Sequence, residues 1–434
     1  MNRPNILYIH SHDTGRYIQP YGHAVATPRL QQLAEDGVLF RQNFCVGPTC
    51  SPSRAALLTG CYPHENGMTG LAHRGWALIN YRQHMAHALR TVGYRSALAG
   101  VQHIATDTSD KKAWQTIGYD EYLDGDACEQ AELFLDKSPP RPFFLSVGFE
   151  QTHRPFPSAD PQDDPRYCLP PAPLPDTPET RSDMARYKSS VRELDRKIGR
   201  VLSALDRNGM TAHTLVVATT DHGIPFPRMK CTLHDSGIGT LLILREPGLV
   251  DGGRIVDAMT SHLDLFPTLC ERLDIAPPPW LRGASLLPLI RNETDTLHDA
   301  LFFEVNFHAA YEPMRAVRTK RWKYIRRYGD RLSRPVPSNT DDGESKSLWA
   351  KHGWLDRSLP EEALFDLMLD PNEADNRVND SACLTVLKDM RERLSQWMKN
   401  TNDPLLAGPI RPPDGAMVNN PNALSPREET EPAD

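Results

Sequence analysis

The stretch Cys50-Ser51-Pro52-Ser53-Arg54-Ala55-Ala56-Leu57-Leu58-Thr59-Gly60 decides how this chain is organised. Pro52 suits the first turn of a helix, because an N–H group there has no helical partner to lose, and Ser51 can cap that turn. Cys50 is therefore predicted at a helix N-terminus, where backbone N–H groups and the helix dipole favour anions. Since Arg54 adds a positive charge nearby, we expect the Cys50 thiol to be acidic and reactive.

Short apolar runs that alternate with helical patterns indicate an α/β fold with a large, mostly parallel sheet flanked by helices. Residues 6–9, 215–218 and 241–244 are apolar at consecutive positions, as strands buried on both faces are, and residues 143–147 are apolar except for Ser146. An amphipathic helix is predicted from apolar residues at gaps of three and four, namely Tyr187, Val191, Leu194, Ile198, Val201 and Leu205. Several of the strands are followed by polar clusters, which we expect to meet beyond the carboxyl ends of the strands.

The texture of the sequence divides the chain into three parts. Residues 1–300 are predicted to form the main α/β domain. Residues 301–400 are predicted to form a smaller α+β subdomain, because runs near 301–305 and 322–325 look like antiparallel strands and a helical pattern follows from Leu384 to Trp397. Residues 401–434 repeat Pro and end in acidic residues, so we expect an extended or disordered tail with little to bury.

Composition excludes several classes of function. The net charge of the 434 residues is −7 and no basic block occurs, so nucleic acid is not an expected partner. No run of about twenty apolar residues is present, so we expect no membrane span. The eight cysteines show no CxxC pairing and no signal peptide is visible, which predicts a reducing, cytoplasmic location. A homo-oligomer is compatible with the sequence.

Asp13 and the pair Asp221-His222 directly follow predicted buried strands. Carboxylate oxygens at such strand ends are where a divalent cation would find its ligands. Hard oxygen ligands favour Ca²⁺ or Mg²⁺, and an imidazole nitrogen moves the preference toward Mn²⁺. We therefore expect one divalent cation, with Ca²⁺ as the first choice.

Cys50-x-Pro52-x-Arg54 followed by Leu57-x-Thr59-Gly60 resembles the signature of type I sulfatases. This resemblance implies an alkaline-phosphatase-like fold and the conversion of Cys50 to formylglycine by a formylglycine-generating enzyme, with the aldehyde hydrate as nucleophile. It implies Arg54 as a catalytic partner. Metal ligands are expected at the positions that match the family pattern, namely Asp13, Cys50, Asp221 and His222. His12 stands where the family has its first aspartate, and is either a ligand or a neighbour of the ligands.

The same resemblance assigns basic residues to the sulfate group. His103 matches the histidine of a Gly-Lys-x-His motif, His153 that of a His-Arg-Pro loop, and Lys230 the lysine that follows the Asp-His pair. One histidine must protonate the leaving group. Val101 occupies the place of the motif's lysine, so one expected positive charge is missing, and Arg228 is the residue predicted to compensate for it.

Residues 221–227 and 311–315 resemble the heparan N-sulfatase, or sulfamidase, branch of the family. The resemblance implies a small sulfated saccharide as substrate, with an N-sulfated glucosamine unit first, and places His308 and Arg315 on the sugar side of the pocket. Two alternatives stay open at this point. One is a hydrolase of phosphonate or phosphate esters, which the missing lysine keeps in consideration, and the other is a catalytically silent protein that binds sulfated glycans.

Overall fold

A computed structural model describes residues 3–250, 252–329 and 333–433. Its centre is a nine-stranded sheet in the order β4-β3-β5-β1-β6-β8-β2-β7, with β9 paired to β2. The strands are β1 (Asn5–Ser11), β2 (Val38–Phe44), β3 (Arg95–Gly100), β4 (Glu121–Leu123), β5 (Phe143–Gly148), β6 (Thr214–Thr220), β7 (Gly239–Thr240), β8 (Leu242–Arg245) and β9 (Arg254–Ser261). The five strands from β4 to β6 run parallel to one another, and β8 runs antiparallel to both of its neighbours.

Helices cover both faces of this sheet. The helices of the described ranges are α1 (Pro28–Glu35), α2 (Cys50–Thr59), α3 (Pro63–Asn66), α4 (Met85–Thr91), α5 (Ala113–Ile117), α6 (Ala127–Asp136), α7 (Pro178–Arg207), α8 (Asp235–Ile238), α9 (Leu265–Leu273), α10 (Leu287–Ile290), α11 (Glu344–Lys351) and α12 (Leu384–Asn400). One core lies between the sheet and α2, α4, α9 and α10, and the other lies under α1, α6 and α7. None of the helices in the described ranges combines the length and the apolar character that crossing a membrane requires.

Strand β1 shows why its run of apolar residues is continuous. Ile6 and Tyr8 join the core on one face of the sheet, and Leu7 and Ile9 join the core on the other. Because successive side chains of a strand point to opposite faces, a central strand must be apolar at every position. Each fully buried side chain of this size contributes about 1.5–3 kcal/mol to folding. The predicted amphipathic helix is confirmed within α7, where all six of its spaced apolar residues are buried.

The smaller sheet is antiparallel, in the order β10-β11-β12-β13. Its strands are β10 (Leu301–Phe307), β11 (Tyr311–Arg318), β12 (Trp322–Arg327) and β13 (Glu362–Asp366), and α12 packs against it through buried apolar residues. The predicted fold class is thereby confirmed: a large, mostly parallel mixed sheet flanked by helices, with a smaller antiparallel sheet and a helix. The boundaries at residues 300 and 400 stay predictions.

Residues 401–433 were expected to form an extended or disordered tail with little to bury, and the structure shows ordered chain there with buried residues. Met417–Asn419 (β14) and Thr430–Pro432 (β15) form an antiparallel pair. Ala416 and Asn419 are buried, and the N–H of Asn419 donates to the carbonyl of Ala309 at 2.8 Å. The expectation rested on the low content of apolar side chains in this segment. Backbone hydrogen bonds, which composition does not reveal, hold it against the rest of the protein.

Candidate active site

The predicted site lies at the carboxyl edge of the parallel strands. His12 and Asp13 follow β1, Asp221 and His222 follow β6, and the two strands are neighbours in parallel register. The N–H groups of Asp13 and His222 both donate to Asp221 Oδ1, at 2.8 and 2.9 Å. Two consecutive strand ends are therefore tied together through one carboxylate, as the topology of a parallel sheet allows.

Helix α2 brings Cys50 to this edge. The Ser53 hydroxyl donates to the carbonyl of Asp221 at 2.5 Å and fixes the start of the helix against β6. Ligand atoms of His12, Asp13, Cys50 and Asp221 all lie within 4.8 Å of one another, and all four residues are buried. His222, the fifth residue predicted as a metal ligand, lies beside them, with its Nε2 3.3 Å from Asp13 Oδ1 and 3.7 Å from Asp221 Oδ2.

The expectation of an acidic thiol is wrong for Cys50 in this state. Burial raises the pKa of the thiol well above its ordinary value, and the nearby charge of Lys230 opposes this only in part. The carboxylates of Asp13 and Asp221 raise it further. The helix N-terminus that the sequence predicts is present, but removal from water outweighs its effect on the thiol.

Both carboxylates of the cluster are held in the ionised form. Burial alone would raise the pKa of Asp13, but Lys230, followed by His222 and His153, keeps it well below its usual range. The pKa of Asp221 is likewise depressed, because His222 and Arg54 together outweigh its burial. The cluster therefore holds two buried negative charges side by side.

His12 belongs to the same cluster as an uncharged base. Burial lowers the pKa of His12 to about 4, against the pull of Asp221 in the other direction. Its Nδ1 lies 3.1 Å from Asp221 Oδ2 and 3.3 Å from Asp13 Oδ1. A neutral imidazole nitrogen at these distances is placed to act as a metal ligand or to orient the carboxylates.

The donor set fits a divalent cation. Two ionised carboxylates face each other, and His222 Nε2 is a buried nitrogen without a hydrogen-bond partner, 3.3 Å from Asp13 Oδ1. A buried polar atom of this kind is costly unless it has a partner. Oxygen and imidazole ligands together suit Ca²⁺, Mg²⁺ or Mn²⁺.

Arg54 is buried in the same edge and ties three elements together. Its Nη2 donates to Asp221 Oδ2 and to the carbonyl of Ser11, both at 2.9 Å, and its Nη1 lies 2.5 Å from His10 Nδ1. Its Nε has no hydrogen-bond partner in the structure. The guanidinium therefore binds the Asp221 carboxylate and has one N–H donor, at Nε, that forms no hydrogen bond.

A wall of histidines and one lysine completes the site. His103 follows β3 and His153 follows β5, and their rings lie 5.5 and 4.9 Å from the ring of His12. Burial, followed by the charges of His12 and Arg54, holds the pKa of His103 well below its usual value. Lys230 Nζ lies 2.9 Å from Asp13 Oδ2. These three predicted residues are thus brought to the cluster from separate loops.

His308 approaches the site from the smaller sheet. It is buried, and its pKa is well below the usual value because of burial and, after that, the charge of Lys230. Its Nδ1 has no hydrogen-bond partner in the structure. Its predicted place on the sugar side of the pocket stays a prediction.

Arg315 does not line the site, which corrects the prediction. It is fully buried within the smaller sheet, where Nε and Nη2 donate to Asp403 at 2.6 and 2.9 Å. Glu304, its partner in strand register, lies 3.5 Å away. The alternation of side chains along β11 directs Arg315 into the interior rather than toward the pocket.

Arg228 also contacts other residues than those predicted. Its guanidinium donates to the carbonyl of Glu373 and lies 3.3 Å from His234, and it lines a cavity of about 360 Å³ against the smaller sheet. Among the described residues, no hydrogen bond or ion pair joins Arg228 to the carboxylate cluster, so it does not replace the charge that is missing at Val101. The backbone of the left-handed residue Arg228, at φ 64°, turns its side chain toward the smaller sheet.

Sequence reasoning missed three residues at this edge. Asp341 Oδ2 lies 2.9 Å from Lys230 Nζ, and His73 Nδ1 lies 3.0 Å from His103 Nε2. His10, the next-to-last residue of β1, contacts Arg54. Neither Asp341 nor His73 follows a strand of the large sheet, so no local pattern marks them, whereas His10 was identifiable as a polar residue ending an apolar strand.

Residues 4–275 match the family model described as Sulfatase, and residues 227–354 match the model described as N-sulphoglucosamine sulphohydrolase, C-terminal. The human N-sulphoglucosamine sulphohydrolase is 29% identical over 465 residues, which cover 93% of this chain and 92% of that protein. An ulvan-active sulfatase of Formosa agariphila is 27% identical over 470 residues, which cover 92% of this chain and 76% of that protein.

Two solved structures share the fold. One, determined in complex with its substrate D-glucosamine-2-N,6-O-disulfate, superposes with a TM-score of 0.74 at 18% identity over 92% of this chain and 98% of that chain. The phosphonate monoester hydrolase of Agrobacterium radiobacter superposes with a TM-score of 0.70 at 23% identity, over 93% of this chain and 97% of that chain. At these identities the two structures establish the architecture of the chain and nothing finer.

Proposed function

This chain belongs to the sulfatase family and is a sulfuric ester hydrolase, and we propose that it releases sulfate from a sulfated sugar with an N-sulfated glucosamine unit as its leading substrate. The substrate proposal is supported by the C-terminal family match and by the human relative of that name. The observation that carries it at the level of chemistry is the buried cluster of Cys50 with two carboxylates and His12 at the sheet edge.

We propose that Cys50 is converted to formylglycine and that Asp13, Asp221 and His222 hold one divalent cation, Ca²⁺ first and Mg²⁺ or Mn²⁺ next. His12 and residue 50 itself border the same position. A cation there would stabilise negative charge on the sulfuryl oxygens and on the attacking oxygen, and the aldehyde hydrate would supply that oxygen. Sulfatases in general use both a metal ion and formylglycine.

The remaining residues position the sulfuryl group and protonate the leaving group. Lys230 brings an ammonium group to the carboxylate cluster, where it can bind a sulfuryl oxygen. His103 and His153 border the cluster beside the ring of His12, and we propose that one of the two, in its protonated form, gives a proton to the departing oxygen or nitrogen. An amine leaving group needs this proton more than an aryl oxygen does, because an amide anion is the stronger base.

Maturation and substrate are tested in two steps. Mass spectrometry of the Cys50 peptide from the native host should show formylglycine, and an unmodified thiol would favour a silent glycan-binding protein. A substrate panel is then run on protein that contains formylglycine. N-sulfoglucosamine should release sulfate faster than glucosamine 6-sulfate under matched conditions. If phenyl phosphonate esters are cleaved faster than every sulfated sugar, the protein is a phosphonate hydrolase on the same fold.

The cation is tested by its removal. Chelation should abolish turnover, and Asp221→Ala should bind less metal by elemental analysis, because one carboxylate fewer leaves the cation's charge under-compensated. Asp342→Ala, which removes a carboxylate outside the cluster, should retain its metal. Undiminished turnover by the chelated, metal-free protein would refute the role of the cation.

A further inference from the structure

Asp341 reaches the active site from the smaller subdomain and contacts Lys230. The distance between Asp341 Oδ2 and Lys230 Nζ is 2.9 Å, and the exposed fraction of the Asp341 side chain is 12%. It lies in the segment between β12 and β13, ahead of α11, far in sequence from every other residue of the cluster. Its neighbours of opposite or potential positive charge include His308 and His153 as well as Lys230.

Lys230 is thereby shared between two carboxylates. Its Nζ lies 2.9 Å from Asp13 Oδ2 and equally far from Asp341 Oδ2, and its side chain is almost fully buried. In a cation-loaded site the metal would compensate the charge of Asp13, whereas Lys230 is the ammonium group in contact with Asp341. One ammonium group that would otherwise attract anions is therefore partly neutralised from outside the metal cluster.

The Asp341 carboxylate is ionised at neutral pH. Burial would raise its pKa, but the charge of Lys230 outweighs this and lowers the pKa below its ordinary value. A fixed negative charge next to an anion-binding lysine is unfavourable for affinity as such. It becomes useful where the site must tell anions of different charge apart.

The reaction changes the charge of the bound group. A sulfate ester or a sulfamate carries one negative charge, and hydrolysis consumes water and releases inorganic sulfate, which carries two. Phosphate monoesters and inorganic phosphate also carry up to two. A site that attracts every anion strongly would be inhibited by its own product and would accept phosphate esters.

We propose that Asp341 is a specificity-determining residue that makes the anion site prefer a singly charged sulfuryl group over a dianion. It does so by lowering the positive potential at Lys230, which it contacts at 2.9 Å. The inference rests on the proposed function for the identity of the substrate. It goes beyond that function by assigning both the release of product and the rejection of phosphate to one residue of the smaller subdomain.

The experiment compares anions of different charge on three proteins. Metal-loaded wild type, Asp341→Asn and Asp341→Glu are titrated calorimetrically with inorganic sulfate and with inorganic phosphate at constant ionic strength. Asp341→Asn keeps the shape but removes the charge, so both dianions should bind about tenfold more tightly, as a neighbouring charge at hydrogen-bond range predicts. Asp341→Glu keeps the charge and should resemble wild type.

The second measurement uses the singly charged substrate. For 4-nitrophenyl sulfate, Asp341→Asn should change KM by less than about threefold while the inhibition constant of inorganic sulfate falls about tenfold. Asp342→Asn is the matched control, because the adjacent carboxylate contacts Lys346 at 2.9 Å rather than Lys230. That control should alter neither constant. Thermal unfolding shows whether each variant is folded.

Several outcomes would overturn the proposal. Inorganic sulfate that binds Asp341→Asn no more tightly than wild type, or undetectably to both, means that Asp341 only positions Lys230. An equal gain for sulfate and for the singly charged ester means that it does not discriminate between charges. If no sulfated sugar is turned over by formylglycine-containing protein, the proposed function fails, and the calorimetric comparison still decides the role of Asp341.

Discussion

Two buried arginine–aspartate pairs, one at each sheet, are satisfied to very different degrees. Arg315 in the smaller sheet uses every guanidinium nitrogen, with Asp403, Asn306 and backbone carbonyls as acceptors. Arg54 at the edge of the large sheet pairs with Asp221 but leaves Nε without a partner. Both arginines are almost completely removed from water.

The surroundings of the two pairs differ in the same way. In the site that contains Arg54, buried nitrogens without hydrogen-bond partners are found on His103, His222 and His308. A buried donor or acceptor without a partner costs about 1–3 kcal/mol. The guanidinium of Arg315 is thus fully used in holding the smaller sheet, whereas the guanidinium of Arg54 and the histidines of its site keep polar atoms that a bound group can use.

The largest effect should follow from replacing residue 50. Cys50→Ser leaves a hydroxyl that can attack but cannot expel sulfate afterwards, so steady-state turnover should fall by about a thousandfold or more. Sulfate release and thermal unfolding are measured side by side, and folding should be retained. Cys270→Ser, which changes a buried cysteine of the same kind outside the site, should stay active. Turnover by Cys50→Ser close to that of wild type would refute the formylglycine hypothesis.

Replacing Arg315, which pairs with Asp403, should lower the stability of the protein rather than its catalytic activity. Arg315→Met leaves Asp403 buried and uncompensated, so the free energy of unfolding should fall by about 3–5 kcal/mol, while activity per folded molecule is retained. Denaturant unfolding gives the first quantity and turnover at low temperature the second. The double variant with Asp403→Leu removes both charges and should regain part of the loss. A large drop in kcat without loss of stability would return Arg315 to the site.

Replacing His103 or His153 should lower the catalytic activity of the protein rather than its stability. We expect His103→Ala and His153→Ala each to lower kcat by about a hundredfold, the size typical of a lost proton donor or charge-stabilising partner. Steady-state kinetics with N-sulfoglucosamine measure this, and His213→Ala on the far surface is the matched control. A rise confined to KM would instead show that these residues only bind the substrate.

The smallest effect concerns a histidine of the core. Burial lowers the pKa of His84 to about 3, so the folded protein keeps it neutral while the unfolded chain binds a proton below about pH 6.5. Its contribution to stability is therefore complete above pH 6.5 and is lost progressively as the pH falls toward 3. Below pH 6, wild type should lose about 1 kcal/mol per pH unit more than His84→Asn.

Asparagine is chosen because it keeps the acceptor that His84 Nδ1 offers to the N–H of Ala86 at 3.1 Å, without a titrating group. Urea unfolding at several pH values provides the free energies. The exposed His213→Asn should follow wild type. Parallel pH profiles of His84→Asn and wild type would show that His84 does not contribute.

The sequence predicted which residues come close together where the fold places successive strand ends at one edge. Asp13, Asp221, His103 and His153 each follow a strand of one parallel sheet, and parallel strands end at a common edge. For the smaller sheet the same reasoning failed at Arg315. There the direction of a side chain depends on strand register and on which face packs inward, and neither is written in a five-residue motif.

The sequence by itself determined the fold class, the helix that carries Cys50 and the strand-end residues of the site, because hydrophobic periodicity and turn residues act locally. Tertiary structure alone decided the high pKa of the Cys50 thiol, the burial of Arg315, the order of residues 401–433 and the pairing of Asp341 with Lys230. These four depend on how much water is removed and on which charges arrive from distant segments. Both quantities are set only when the two sheets pack together.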